Sequence, residues 1–279
     1  MYFADLHVHT DVSDGSETAE TILREAKEKG ITHIAFTDHD TTKSASKHKE
    51  LSASFGIQAV TGVELSAYDF EGKKKVHILG YGYTRGKHIE ALGRETLAHR
   101  QENCLRQIGI LERLGYQMDV EKIQALAGGS IYKQHIFDYL VQTGQSEEMF
   151  GAVYQEIFKN GGACDFDIIY PAAEEAVRAV KADGGAAVLA HPGQQGNFDI
   201  IGRLAEAGLD GIEWNHPSHT EEHRRQEEEA AKCYRLFLTG GSDFHGRYER
   251  SSAPLGAYPA HISSAGQLYG DLAPAIHGQ

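Results

Sequence analysis

The chain has 279 residues, with 27 Lys and Arg against 40 Asp and Glu, a formal net charge of −13. That length supports one large domain or a domain with a sizeable insertion, and an apolar content of 41% suffices for a buried core, which excludes disorder as the main state. The acidic balance argues against a sequence-independent nucleic-acid coat, because that mode of binding needs clustered Lys and Arg to neutralise phosphates.

In chain order, short apolar runs bounded by polar residues or Gly predict buried strands of a parallel sheet at 2–6, 34–37, 59–63, 76–81, 186–190, 211–214 and 236–239. Helix-period segments lie between several of them. Residues 18–29 carry Ile22, Leu23 and Ala26 on one face and stop at Gly30, a left-handed cap. The alternation breaks over 87–170, where the pattern is purely helical. A long helix is predicted over 89–114, with Leu92, Leu97, Leu105, Ile108, Leu111 and Leu114 on its stripe, then shorter ones over 120–127, 132–141 and 147–159. This stretch is too long for a loop and reads as a helical insertion. Beyond it, 199–207 carries Ile200, Ile201, Leu204 and Ala205, and the charged segment 220–233 is expected on the outside. Alternating β and α units imply an α/β fold whose parallel sheet is open or closed as a barrel.

Cys104, Cys164 and Cys233 are odd in number, far apart and form no CxxC pair, so free thiols are expected rather than a disulfide framework or a thiolate metal site. No run approaches the roughly 18 apolar residues of a membrane span, and no signal-like segment opens the chain. A soluble, cytoplasmic protein is expected.

Nearly every predicted strand ends in a residue that can ligate a metal. The first gives Asp5-Leu6-His7-Val8-His9, followed by Ser13-Asp14-Gly15. The second gives Thr37-Asp38-His39-Asp40, the third Gly62-Val63-Glu64, and the fourth contains His77. Then come Ala190-His191-Pro192, Gly211-Ile212-Glu213-Trp214-Asn215-His216 and Gly241-Ser242-Asp243-Phe244-His245. The carboxyl ends of parallel strands emerge on one rim, so residues remote in sequence converge there. Strand alternation also sends His7 and His9 to one side, and Asp243 and His245 likewise, close enough to share an ion. One HxH pair alone is usually two unrelated imidazoles. The ordered set HxH, SDG, TDHD, GxE, AHP and SDFH is far more specific.

That set, running from DLHVHT to GSDFHG, resembles the PHP (polymerase and histidinol phosphatase) family of metal-dependent phosphoesterases. The resemblance implies a distorted seven-stranded (β/α) TIM-like barrel formed by 1–86 and 171–279, with 87–170 as a helical substrate cap. It also implies two or three divalent transition ions, Mn, Zn or Fe, held by His7, His9, Asp14, His39, Glu64, His77, His191, Asp243 and His245. In the family pattern His7, His9 and Asp243 hold one ion, His77 and His191 a second, and Glu64 bridges the two. Asp14, His39 and His245 hold a third, and many relatives have His where Asp14 stands. The insertion resembles the branch of nucleoside 3′,5′-bisphosphate phosphatases and the 5′-to-3′ exoribonuclease RNase AM, through Gly129-Ser130-Ile131-Tyr132-Lys133-Gln134-His135. Lys133 stands where that branch has Arg, which keeps a cation but loses bidentate phosphate recognition.

The expected activity is hydrolysis of a phosphoric ester by a hydroxide that bridges two ions. The expected substrate is a small phosphorylated metabolite, foremost a nucleotide of the nucleoside 3′,5′-bisphosphate type. The alternatives are removal of 5′ nucleotides from short RNA and a non-catalytic metal-binding scaffold. An amidohydrolase of the kind that uses a carboxylated lysine is disfavoured, because no predicted strand ends in Lys. Lys133, His135, Arg100 and Arg247 are candidate substrate contacts, with Asn103 a weaker one. His135, His216 and His219 are candidate acids for the leaving alkoxide. Asp5 and Asp38 are expected to orient ligand imidazoles. Plain structural roles compete: an exposed helix face for Lys133 and His135, a turn around Pro217 for His216 and His219, and the surface for Arg247. His33, His48, His88, His99, His223, His261 and His277 are expected to be structural. Neither a membrane nor an obligate protein partner is expected.

Overall fold

The computed structural model of the chain describes residues 2–248 and 253–270, so His277 lies outside the described residues. Eight strands are present there: β1 (Ala4–Val8), β2 (His33–Phe36), β3 (Gln58–Ala59), β4 (Gly62–Asp69), β5 (Lys74–Tyr81), β6 (Ala186–Leu189), β7 (Gly211–Asn215) and β8 (Phe237–Gly240). They form a parallel three-stranded sheet, β1-β2-β3, and a five-stranded sheet in the order β4-β5-β6-β7-β8. The predicted run 59–63 is split between β3 and β4.

The second sheet is mixed, which corrects the all-parallel expectation. β4 pairs antiparallel with β5 and β5 with β6, while β6-β7 and β7-β8 are parallel. The reason is chain length. Only residues 70–73 join β4 to β5, with Lys73 in the left-handed region at φ 54°. A parallel crossover needs a dozen residues or more, so this connection makes a hairpin. The α/β fold is present, but among the described residues the strands form a three- and a five-stranded sheet, neither closed on itself, rather than one seven-stranded barrel. Between the two sheets the backbone pairing there is limited to single parallel bridges, His39 with Glu64 and Val8 with Phe244, while Ala4, Leu6 and Ala35 pack against Leu79, Tyr81 and Val188. The register is irregular between Asp5 and Val8 and between Glu213 and Asn215. Such irregularities bend strand ends away from a continuous ladder.

The helices are α1 (Ala19–Glu28), α2 (Ala45–Ser54), α3 (Lys87–Arg113), α4 (Val120–Leu126), α5 (Lys133–Gln142), α6 (Ala152–Ile157), α7 (Ala173–Ala182), α8 (Pro192–Gln195), α9 (Ile201–Ala207), α10 (Glu221–Tyr234) and α11 (Ser263–Tyr269). α1 begins where the Thr18 hydroxyl accepts from the Thr21 amide, which satisfies an otherwise orphan donor. α6 covers only part of the predicted 147–159. α2 and α7 were not predicted; α2 buries only Ala45, His48 and Ser52, so it has no apolar stripe to read.

α3 links the sheets to the insertion. Its buried side is Ile89, Gly93, Thr96, Cys104, Gln107, Ile108 and Leu111, whereas Leu105 and Leu114 of the predicted stripe are exposed. Gly93 is required here, because a Cβ at that position would lie 2.0 Å from the Asp40 carbonyl oxygen. The helix therefore rests directly on the loop after β2. One apolar core lies between the five-stranded sheet and α7 and α9, built on Val63, Leu65, Ile78, Val177, Leu189 and Leu204. A separate cluster, with Ile108, Leu111, Ile136, Phe137, Leu140 and Phe158, lies wholly within the insertion. Fully burying each such side chain contributes about 1.5–3 kcal/mol, which lets the insertion present fixed walls. All three cysteines are free, and no described helix is long and apolar enough to cross a membrane.

Candidate active site

The nine side chains predicted to converge do so. His7 on β1 and His9 just beyond it turn to the same side. His7 Nε2 lies 3.2 Å from both Glu64 Oε2 and Asp243 Oδ1, and His9 Nε2 lies 3.1 and 3.4 Å from the same two oxygens. A second group surrounds Asp14. His9 Nδ1 and His245 Nε2 are 3.5 and 3.4 Å from its Oδ1, and His39 Nε2 is 3.9 Å from Oδ2. A third meets Glu64, with His77 Nδ1 and His191 Nε2 at 2.8 and 3.0 Å from Oε1 and His39 Nε2 at 3.3 Å from Oε2. Glu64 thus gives one oxygen to His77 and His191 and the other to His7, His9 and His39.

These residues suit divalent transition ions. Among the described residues, His39 Nδ1 and His191 Nδ1 are buried with no hydrogen-bond partner, and His7 Nε2 and both ring nitrogens of His9 have none beyond the carboxylate contacts at 3.1–3.5 Å. Leaving so many polar atoms unpaired is costly unless something else engages them. Mixed imidazole and carboxylate donors are what Zn, Mn and Fe accept. Burial alone would raise the Glu64 carboxyl, but the imidazoles of His39, His7 and His77 hold it well below the usual carboxylate range. Burial is likewise outweighed by His7 and His245 at Asp243, and by His245 and His39 at Asp14. All three therefore present anionic oxygens.

The groups behind them differ from expectation. Glu213, on β7, receives His7 Nδ1 at 2.9 Å on Oε1 and the His191 amide at 2.8 Å on Oε2. No role was predicted for it, although strand alternation already put it on the opposite face from Ile212 and Trp214. Asp5 touches no imidazole, which corrects its predicted role. It accepts the Ser242 amide at 3.0 Å, the Ser242 hydroxyl at 2.6 Å and the Gly256 amide at 2.7 Å, fixing the chain that presents Asp243. Gly241 is needed in that passage, since a Cβ there would lie 2.4 Å from His7 Cβ. Among the described residues Asp38 also meets no candidate ligand imidazole; the imidazole nearest it is that of His48, at 3.7 Å. Asp38 accepts from the Thr10 amide at 2.8 Å and the Ser13 hydroxyl at 2.9 Å, which pins the turn bearing Asp14. Asp40, His191 and Asp243 have φ of 58°, 27° and 52°. Strained backbone of this kind tends to gather at functional sites.

A cavity of about 660 Å³ opens onto the cluster and is also lined by Arg100, Asn103, Tyr132, Lys133 and Gln134 from the insertion. Of the three acid candidates only His216 lines it, with Nε2 3.3 Å from Asp243 Oδ2 and Nδ1 2.8 Å from the Ser218 hydroxyl. His219 is a brace instead: Nδ1 meets the Trp214 carbonyl at 3.0 Å and Glu227 at 3.1 Å, and Nε2 accepts the Gly193 amide at 3.3 Å. His135 is fully buried at the start of α5, where Nδ1 accepts the Tyr132 amide at 2.9 Å, and it does not line the cavity. Among the substrate candidates, Arg247 is also away from the cavity, paired with Asp138 at 2.7 Å. Arg100 reaches the cavity, but its Nη2 donates to Asp40 at 3.1 Å and Ser66 at 2.9 Å, and the guanidinium lies 4.7 Å from the Tyr132 ring centroid. Lys133 lines the cavity and forms no ion pair among the described residues. Gln134, not predicted, donates to Asp14 Oδ2 at 2.9 Å.

Imidazoles gathered on shared carboxylates beneath a cavity with cationic walls define a metal-dependent phosphoesterase. Residues 5–234 match the model of the PHP domain, and the chain belongs to the PHP domain family. It is 47% identical over 249 residues to the phosphoribosyl 1,2-cyclic phosphate 1,2-diphosphodiesterase of Eggerthella lenta, spanning 88% of this chain and 95% of that one. It is 29% identical to the 3′,5′-nucleoside bisphosphate phosphatase of Chromobacterium violaceum, over 86% of each chain. A solved structure described as a metal-dependent phosphoesterase from Bifidobacterium adolescentis superposes with a TM-score of 0.87 at 27% identity, covering 99% of this chain and 98% of that one.

Proposed function

We propose that the chain hydrolyses a phosphate ester of a small ribose-derived metabolite, with a phosphoribosyl 1,2-cyclic phosphate ahead of a nucleoside 3′,5′-bisphosphate. The observation that carries this reading is the convergence of nine ligand-competent side chains, around Glu64 and Asp14, at a cavity of about 660 Å³. That volume is ordinary for one small-molecule ligand and favours such a substrate over an RNA strand. The 47% identity over nearly the full length of the Eggerthella lenta enzyme moves the cyclic phosphate ahead of the nucleotide favoured from sequence.

Two or three ions, Mn, Zn or Fe, would be held as follows: one by His7, His9 and Asp243, a second by His77 and His191, and a third by Asp14, His39 and His245, with Glu64 shared between the first two. Bound there, they would polarise the phosphoryl oxygens and make water acidic enough to attack phosphorus at neutral pH. Glu213 holds the His7 ring in place, Asp5 and Asp38 hold the chains bearing Asp243 and Asp14, and His216 is the acid candidate that lines the cavity. Residues 1–86 and 171–279 are assigned to catalysis and 87–170 to a substrate cap, in keeping with the separate apolar cluster of the insertion.

The test is a panel of esters offered to manganese-reconstituted protein: a ribose 1,2-cyclic phosphate, a nucleoside 3′,5′-bisphosphate, a short oligoribonucleotide and an aryl phosphate. The small ribose phosphates should turn over, and His9→Ala should abolish that turnover. Preference for the oligoribonucleotide would favour exonuclease action instead, and inertness on all four would leave a non-catalytic scaffold.

A further inference from the structure

The ligand cluster is backed by different parts of the chain. Behind His7 and Asp243 stand Glu213 and Asp5, which sit on β7 and β1. The turn that carries Asp14 is held by Asp38 and also by the insertion. The Gly128 amide donates to the Asp11 carbonyl at 3.0 Å, and a Cβ on Gly128 would lie 2.3 Å from that oxygen, so the insertion rests directly on the turn. The resting stretch is itself fixed. Gln124 Nε2 donates to the Gly129 carbonyl at 2.8 Å, and Gln101 Oε1 accepts the Ile131 amide at 2.7 Å. Two side chains then reach the ligand cluster. The Tyr132 hydroxyl donates to the His39 carbonyl at 3.2 Å, and Gln134, in the first turn of α5, donates from Nε2 to Asp14 Oδ2 at 2.9 Å.

This last bond divides the Asp14 carboxylate. Oδ2 is engaged by Gln134, with His39 Nε2 at 3.9 Å, while Oδ1 faces His9 Nδ1 and His245 Nε2 at 3.5 and 3.4 Å. An ionised carboxylate only accepts, so Gln134 presents its amide nitrogen, and swinging the carboxylate about its Cβ–Cγ bond would break the contact. Hydrogen bonds to an ionised acceptor are roughly twice as strong as neutral ones. Partners of this kind behind a metal-binding carboxylate matter to the metal, and losing one typically weakens its affinity by about 10–100-fold.

We propose that Gln134 is a positioning residue for the third ion: it fixes Asp14 Oδ2, keeps Oδ1 turned toward His245, and so ties the affinity of that site to the insertion. The inference rests on the metal-centre reading of the cluster and adds that the three ions are not equivalent. His7, His77, His191 and Asp243 are placed by the strands and the turns that follow them, whereas Asp14 depends on a side chain from outside the sheets.

The experiment titrates manganese calorimetrically into metal-stripped wild type, Gln134→Met and Gln134→Glu, and locates the ions by anomalous diffraction from crystals soaked at graded manganese concentrations. Wild type should show a peak beside Asp14, His39 and His245 as well as at the other two sites. Gln134→Met keeps side-chain length and removes the donor, so it should weaken the third ion roughly tenfold or more while moving the other two by less than about twofold. Gln134→Glu keeps the shape but sets a second carboxylate against Asp14, a repulsion that a cation relieves. It should therefore tighten the third ion and lower the melting temperature of the stripped protein. A side chain that acts through packing alone would give both variants the same sign. The proposal is overturned by a third ion bound equally well in wild type and Gln134→Met, by equal losses at all three sites, by a Gln134→Glu that weakens the third ion, or by a wild type with only the first two peaks. Wild-type crystals with no manganese at any of the three sites would instead remove the metal-centre reading itself, an outcome distinct from a third site indifferent to Gln134.

Discussion

Glu213→Gln separates the residues that face the cavity from those that hold them. Glu213 is fully buried and accepts two hydrogen bonds, from the His7 ring and the His191 amide. A carboxylate can only accept, so His7 Nδ1 carries the proton and Nε2 is left to face Glu64 and Asp243. Gln offers one accepting and one donating group, so one of the two N–H donors must lose its partner. An unsatisfied buried donor costs about 1–3 kcal/mol. For a chain of this size, each kcal/mol lowers the melting temperature by about 2–4 °C. The metal effect is separable from the stability effect. Loss of a partner behind a metal-binding imidazole typically weakens metal affinity by about 10–100-fold, or roughly 1.4–2.7 kcal/mol. Calorimetric titration of manganese into metal-stripped protein, beside a thermal melt, measures both. Folded Glu213→Gln that binds manganese as tightly as wild type would refute the argument that His7 is oriented for an ion by Glu213.

Arg100→Ala should leave Asp40 as a buried charge without its partner and destabilise the fold by about 3–5 kcal/mol in urea melts. Adding Asp40→Asn should recover part of that loss, whereas strictly additive effects would mean the pair is not coupled. At Asp138, burial is outweighed by hydrogen bonds from Tyr248, Arg247 and Gln142, which hold its carboxyl below its ordinary value. The stability it contributes is therefore complete above the unfolded value near 4 and is lost as pH falls through the lower folded value. Urea midpoints between pH 6 and 3 should fall more steeply for wild type than for Asp138→Asn; parallel curves would contradict this.

Much of the site was legible because its residues obey short-range rules. The parity of His7 with His9 and of Asp243 with His245, and a polar residue at the end of each apolar run, needed no knowledge of long-range contacts. Glu213 was missed because its meaning depends on His7, which lies 206 residues away. The residue types of His135, His219 and Arg247 suggested phosphate or proton chemistry, but their partners hold them elsewhere: the Tyr132 amide, Glu227 and Asp138. The β4–β5 hairpin was misread because its turn, Phe70-Glu71-Gly72-Lys73, lacks the Asn-Gly or Asp-Gly pair that marks two-residue turns. The run 76–81 reads equally well as a parallel strand, so periodicity fixed the strand but not its direction.

The central claim is that these imidazoles and carboxylates are a metal centre. Anomalous X-ray diffraction from crystals of manganese-loaded protein, collected at the manganese edge, tests it most directly. The account predicts one peak among His7, His9 and Asp243 and another beside His77 and His191, with Glu64 between them. Each should lie within about 2.0–2.3 Å of nitrogen or oxygen ligands. Fully loaded crystals with no anomalous density there, or with manganese only at surface carboxylates, would contradict it.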